Sequence, residues 1–424
     1  MKGIYKNIVA KRDFFKSVAT LFTGATIAQL IPLLISPLLT RIYSPEEFGV
    51  LAIFVALASM IGVIASGRYE FAVMQASSDK AAKTLVVLSF IVTSIISITL
   101  LLAILILDKV SFFNFLDENI RVWLYLVPLS VASVGVFQTL NYWLNRKKNY
   151  KSIAVAKVAQ SAINVFASLS LFFVTLLPAF GLIFAHVLAQ IIGAVFLLKK
   201  TGLSKADLQV RRADLVFYAK LFYRFPMVSA PGALLNTAAI QVPVIYVSKF
   251  FDLVSAGYFN FVYRIIGGPL SLLSAAISQV FLQKITSGDP KNLYKNVLLA
   301  ALILFFVCLP VVLIISIWGA EIFGFVFGNQ WEVAGELAKI LIFSIAVRFV
   351  VSPLSMVVAV DRYVTWGAFW QVFTFILVLI FLYLIHGYNF KIFIIAYVIQ
   401  DLISYLSYFI LIISASKKES RRVI

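Results

Sequence analysis

The run from Val297 to Trp318, VLLAALILFFVCLPVVLIISIW, is 22 residues long and carries no charged side chain. At the 1.5 Å rise of an α-helix it reaches about 33 Å, enough to cross the roughly 30 Å hydrocarbon layer of a bilayer. The same ruler, moved outward in both directions, divides the chain into twelve stretches. The first half gives Val18 to Leu39, Phe48 to Met74, Ala82 to Leu107, Val122 to Leu144, Ile153 to Leu176 and Ala179 to Leu198. The second half gives Pro226 to Val247, Gly257 to Leu282, Val297 to Trp318, Leu337 to Val360, Val364 to Ile385 and Phe390 to Ser414. The reading is an all-α integral membrane protein with about twelve transmembrane helices.

Composition agrees. Of the 424 residues 62% are hydrophobic and 13% charged, whereas soluble domains run near half apolar and a quarter charged. The 39 Phe and 18 Tyr suit helices that touch acyl chains and end in aromatic belts. A net charge of +18 raises the question of nucleic acid, but the position of the charge answers it. With the N-terminus inside, 28 of the 36 Lys and Arg fall before the first span, in the cytoplasmic loops or in the tail. The outer loops hold only Arg41, Lys109, Arg121, Lys249 and Lys391. Positive-inside bias then places both termini in the cytoplasm and accounts for the basicity without a nucleic-acid partner. The single cysteine, Cys308, sits inside an apolar run and is expected to pack there, and His186 and His386 have no second ligand at helical spacing, so no metal site is expected.

The segment Thr40 to Val50, TRIYSPEEFGV, aligns at an offset of 208 with Ser248 to Tyr258, SKFFDLVSAGY, setting Gly49 on Gly257. Each is a basic-aromatic helix end, a short turn, a glycine and a new span. Two parallel six-helix lobes follow, residues 1–198 and 226–414, joined by a cytoplasmic linker at 199–225 and followed by a basic tail at 415–424. Six spans per lobe imply a pseudo-two-fold axis along the membrane normal, with the substrate route between the lobes. Pro32 and Pro37 in the first helix of one half correspond to Pro231 and Pro243 in the first helix of the other. Paired broken helices at matching positions point to a transport site.

The run Phe222-Tyr223-Arg224-Phe225-Pro226, with Asn236, Pro243, Pro269-Leu270-Ser271 and Ile277-Ser278-Gln279-Val280-Phe281, resembles the Wzx-type polysaccharide flippases of the multidrug/oligosaccharidyl-lipid/polysaccharide (MOP) exporter superfamily. So do Gly67-Arg68-Tyr69-Glu70, Tyr142 to Lys147, Phe327-Gly328 with Trp331, and Ser352-Pro353-Leu354-Ser355, so that both halves contribute in order. The resemblance implies a MATE-like fold with two lobes around a central cavity, in a bacterial inner membrane. It also implies transfer of undecaprenyl-pyrophosphate-linked oligosaccharide from the cytoplasmic to the periplasmic leaflet, for O-antigen or another surface polysaccharide. Expected partners are the lipid-linked oligosaccharide, membrane lipid and other polysaccharide assembly proteins. No cofactor is expected, and coupling to protons or sodium stays open.

An ionisable group in mid-bilayer costs roughly 2.5 to 3.5 kcal/mol on insertion scales, so each one needs a reason. Arg348 lies deep in the tenth span, as a cation for the substrate or as the partner of Asp401, which is equally deep in the last span. Arg264 enters the eighth span by seven residues, facing a cavity or snorkelling to the headgroups. Arg68 and Glu70 close the second span, as a cavity mouth or an anchoring pair, and Glu70 and Asp401 are the candidates for ion coupling. Lys339 is spaced to pair with Glu336. Asn236, Gln241 and Gln279, with Gln160 and Gln371, either meet sugar hydroxyls or bridge helices. A cation-coupled drug exporter is the alternative transporter; a glycan polymerase or ligase would need acids or Arg/His clusters on substantial loops, and the outer loops are short, the longest running from Asp108 to Arg121 and from Gly319 to Glu336.

Overall fold

A computed structural model describes residues 23–115, 118–174, 179–204, 206–287, 292–358 and 363–422. The basic N-terminal segment, Lys205, Lys291 and Arg362 lie outside the described residues. Among the described residues every regular element is helical. In chain order these are α1 (Thr23–Ile42), α2 (Pro45–Gly62), α3 (Tyr69–Gln75), α4 (Asp79–Lys109), α5 (Glu118–Leu124), α6 (Val127–Arg146), α7 (Tyr150–Leu171) and α8 (Phe180–Lys200). Then come α9 (Arg212–Leu221), α10 (Ala230–Phe250), α11 (Leu253–Val262), α12 (Gly268–Ser287), α13 (Leu293–Phe327), α14 (Glu332–Val351), α15 (Val364–Leu384) and α16 (Phe390–Arg422). Among the described residues eleven helical segments are long and apolar enough to cross a membrane, and α5 with α6, bent by 48°, makes a twelfth if the pair is one span. The protein is a multi-pass membrane protein.

Several boundaries differ from the sequence reading, each for a local reason. The second span does not run through to Met74. It stops at Gly62, and the chain turns through Gly67 (φ 61°) and Arg68 (φ 62°) before α3 starts. Gly67 takes the left-handed conformation at little steric cost, whereas Arg68 is strained there. The expected outer loop from Gly319 to Glu336 is mostly helix: α13 kinks at Trp318 and continues to Phe327, and Gly328 (φ 101°) makes the turn. The prolines do not break their helices. α1 runs through Pro32 and Pro37, and α10 through Pro243, with Pro231 in its first turn. In a membrane helix neighbouring groups can re-satisfy the carbonyl four residues before a proline, and Thr40 Oγ1 donates back to the Pro37 carbonyl at 3.2 Å within the same helix. Irregular helix falls instead at the π-turns Phe225–Ser229 and Tyr263–Gly267.

Contacts divide the chain into two compact units, one of residues 1–35 and 53–237, the other of 36–52 and 238–424. In the first, Leu85, Leu140, Trp143, Leu144 and Leu197 form the core. The indole of Trp143 donates to the Thr201 carbonyl at 3.2 Å, and Arg146 donates to the carbonyls of Val73 and Ala76 at the end of α3. In the second, Val297, Leu304, Cys308, Phe349, Leu354 and Ile412 pack together, so Cys308 takes the packing role expected of it.

The second unit also holds the contact that the internal repeat foreshadows. A Cβ on Gly49 would lie 1.9 Å from the Leu253 carbonyl oxygen, and a Cβ on Gly257 would lie 2.0 Å from the Pro45 carbonyl oxygen. Pro45 and Leu253, like Gly49 and Gly257, are separated by 208 residues. The starts of α2 and α11 therefore cross backbone to backbone about a local two-fold, an approach that only glycine at both positions permits. Trp331 closes over the crossing: its ring meets Phe48 and Phe261, and its Nε1 donates to the Thr40 carbonyl at 3.1 Å.

Candidate functional site

A polar network lies in the second unit, where α14, α16 and the π-turn before α12 meet. Arg348 donates from Nε to Asp401 Oδ2 at 2.6 Å and from Nη2 to Oδ1 at 2.8 Å, a two-point fork. Nη2 also donates to the Tyr397 hydroxyl at 3.0 Å. Ser344 donates to the same carboxylate, so the Tyr263 hydroxyl, 2.8 Å from Ser344 Oγ, is the donor of that bond. The guanidinium lies 5.4 Å from the ring centres of both Tyr263 and Tyr405. Asp401 is 4% exposed and Arg348 21%. Arg348 is therefore the ion-pair partner of Asp401, and it also lines a cavity.

That cavity has a volume of about 520 Å³, inside the range of roughly 300–1,000 Å³ common for small-molecule sites. Arg348, Tyr263 and Tyr405 form part of its wall, and Ser271, Ser274 and Ser278, at i, i+3 and i+7 of α12, form another. The two remaining donors of Arg348, on Nη1, have no protein partner among the described residues, yet the atom is not sealed from solvent. The sequence reading found Arg348 and Asp401 but not the tyrosines or the serine row. Serine is ordinary in membrane helices, where it bonds back to its own carbonyls, and only the rotation of α12 distinguishes these three.

Arg264 occupies the π-turn between α11 and α12. The helix begins at Leu253, four residues before the expected start, which sets Arg264 eleven residues in, about 16 Å along the axis. Arg264 thus sits further along its helix than the seven residues counted from the sequence. Its guanidinium lies 5.9 Å from the Phe48 ring centre, and among the described residues no carboxylate is within ion-pairing distance.

In the first unit the Gly67-Arg68 turn holds Glu70, 1% exposed, which accepts a hydrogen bond from Ser66 and has Arg68 Nη1 3.9 Å away. Arg68 lies 4.3 Å over the Phe71 ring, and its Nε is buried without a partner among the described residues. Arg68 and Glu70 are thus a loose pair at a backbone break. Lys339 bonds Glu336 at 2.9 Å, as its spacing predicts. Asn236 and Gln241 lie on α10 outside the walls of the Arg348 cavity, and the side chain of Gln279 lies outside the described residues. Gln160 packs on Gly193 and so bridges α7 and α8.

Residues 38–336 match the family described as Polysaccharide biosynthesis protein. No curated protein sequence matches the chain significantly. Among solved structures it is similar to an inward-facing multidrug resistance MATE family transporter of the MOP superfamily, with 17% identity, a TM-score of 0.71, and coverage of 94% of this chain and 96% of that one. It is similar to the lipid II flippase MurJ in an inward closed conformation, with 14% identity, a TM-score of 0.70, and coverage of 96% and 90%. A MOP superfamily transporter from Pyrococcus furiosus, whose structure is described as having a binding pocket of reversed polarity, matches with 16% identity, a TM-score of 0.57, and coverage of 95% and 96%. With the family match spanning well over half of the 424 residues, and the fold shared along nearly the whole chain, this protein belongs to the polysaccharide biosynthesis protein family and has the MATE-like fold of the MOP superfamily.

Proposed function

We propose that the protein is a flippase that carries undecaprenyl-pyrophosphate-linked oligosaccharide, an O-antigen or other surface-polysaccharide repeat unit, from the cytoplasmic to the periplasmic leaflet of a bacterial inner membrane. The lobes 1–198 and 226–414 rock about each other in alternating access, the polyprenyl tail stays in lipid, and both termini face the cytoplasm. The protein works as a transporter rather than an enzyme, and hands its cargo to other polysaccharide assembly proteins.

The observation that carries this reading is Arg264, a cation deep in a membrane helix with no carboxylate beside it among the described residues, in a chain whose family concerns polysaccharide biosynthesis. An uncompensated guanidinium in a low-dielectric setting calls for an anion, and its planar donors fit phosphate oxygens. Arg68 plays a similar part in the first unit, weakened by Glu70. Asn236, Gln241 and Gln279 are candidate sugar contacts. Glu70, buried with only a distant cation, is the observation that favours the second reading, a cation-coupled drug exporter, and within the flippase reading it is a candidate for proton or sodium coupling alongside Asp401.

The test is transfer of radiolabelled undecaprenyl-diphosphate-oligosaccharide across proteoliposomes, comparing wild type with Arg264→Gln and Arg264→Lys after each is shown to insert normally. The flippase reading expects wild type to transfer, Gln to fail and Lys to keep part of the rate. Export of small organic cations with no movement of lipid-linked sugar under any ion gradient would hand the chain to the drug-exporter reading.

A further inference from the structure

We propose that the 520 Å³ cavity beside Arg348 is a glycan subsite that binds the uncharged hydroxyls of the sugar and rejects the diphosphate. This rests on the flippase reading and divides the substrate between two places.

Charge makes the first argument. Arg348 is bonded twice to Asp401, and a guanidinium forked onto a carboxylate has no net charge to offer. A diphosphate entering this cavity would lose its hydration against a neutral pair, with Asp401 repelling it at short range. Arg264, with no carboxylate near it among the described residues, is the better anion partner and is absent from the cavity wall.

Hydrogen-bond polarity makes the second. Ser271 Oγ donates to the Gly268 carbonyl at 2.7 Å, Ser278 Oγ donates to Ser274 O at 2.7 Å, and Ser274 Oγ leans on the Phe349 carbonyl at 3.4 Å. With their protons committed, the Ser271 and Ser278 hydroxyls can meet a ligand only as acceptors. Arg348, a wall residue whose Nη1 has no protein acceptor among the described residues, supplies donors. A phosphate oxygen only accepts, so Ser271 and Ser278 offer it no partner unless each gives up its backbone bond. A sugar hydroxyl both donates and accepts, and matches the two walls at once.

Surface makes the third. The rings of Tyr263 and Tyr405 flank the guanidinium and belong to the wall, giving it aromatic surface against which a pyranose can pack, while Leu270, Ile345 and Phe349 add apolar wall and Ser352 a further hydroxyl. A few placed polar groups on an otherwise apolar wall is the usual build of a specific small-molecule site.

The experiment measures binding to nanodisc-embedded protein by native mass spectrometry with two probes: undecaprenyl diphosphate, and the undecaprenyl-diphosphate-oligosaccharide extracted from the producing bacterium. Ser271→Ala with Ser278→Ala removes two acceptors without adding bulk, and Ser274→Leu fills the cavity; thermal melting confirms that each variant folds. The expected result is glycan-lipid affinity lowered about tenfold by the double variant, and by at least as much by Ser274→Leu, with undecaprenyl diphosphate affinity unchanged. Arg264→Gln should weaken both probes alike. If the serine variants weaken both probes equally, or neither, the glycan subsite is wrong while the flippase reading stands. If wild type binds neither probe, both fall together.

Discussion

At the scale of single residues, the pair Arg348 and Asp401 carries the clearest energetic consequence. Both are sequestered, at 21% and 4% exposure, and removing one partner leaves the other charged, desolvated and unpaired. Arg348→Met and Asp401→Leu should each destabilise by about 3 kcal/mol, whereas the double replacement, which removes both charges, should recover most of the loss. Denaturant unfolding in detergent of the four proteins completes the cycle, and additive losses would mean that the fork contributes nothing. The double variant should also fail in glycan-lipid binding, which separates stability from recognition. The two charges stood out in the sequence because each interrupts an apolar run, and their equal depth in two different spans suggested the pairing. Tyr263, Ser344 and Tyr397 were not legible in the same way: tyrosine and serine are common in such helices, and which of them turn toward Asp401 depends on helix rotation, which a near-uniformly apolar sequence does not encode.

At the scale of helices, the crossing of α2 and α11 leaves no room for a methyl group. The atoms in the way are the backbone carbonyl oxygens of Leu253 and Pro45, which cannot move aside as a side chain can. Gly49→Ala and Gly257→Ala should each cost about 1–3 kcal/mol. Since they widen one and the same crossing, the double variant should cost clearly less than the sum, as melting curves of the three variants would show. This contact was half legible. The repeat matched Gly49 with Gly257 in sequence, but a match in register does not say that two residues touch; it takes a local two-fold passing between them. The helix breaks were less legible still, because proline is the usual sequence mark of a break, and here the prolines ride inside continuous helices while Gly67-Arg68 turns the chain. The linker adds a pH-dependent element. Lys83 bonds the carboxylate of Asp207, and with the Ser204 backbone and hydroxyl it holds that carboxyl at about 2, below the usual carboxylate range. A depressed folded value means that the strap between α4 and the linker is fully made above about pH 4 and is lost as pH falls toward 2. Limited proteolysis of the 204–211 region should accelerate over that window in wild type, and Asp207→Asn should be cleaved at a rate that no longer changes with pH there.

At the scale of the whole molecule, transport direction depends on which face of the membrane each helix end occupies, and two independent lines support the proposed orientation. Counting the bent α5–α6 pair as one crossing, the described helices make twelve passes. Twelve is even, so in the proposed topology residues 23 and 422 emerge on the same side. The basic residues then choose the side, because Lys and Arg are retained in the cytoplasm during insertion. Asp79 and Arg146 share one helix end through their ion pair, with Lys147 bonded to the same carboxylate, while Asp108 and Arg121 pair at the other end of α4. The richly basic end is the one proposed to face the cytoplasm. In a Cys308→Ala background the chain has no other cysteine, so single cysteines report cleanly. Lys417→Cys and Lys147→Cys should react with a membrane-impermeant maleimide only after the inner membrane is opened, and Lys109→Cys should react in intact spheroplasts. Labelling in the reverse pattern would invert the molecule, turn the cationic helix ends to the periplasm, and leave an outward flippase without the side from which its substrate is made.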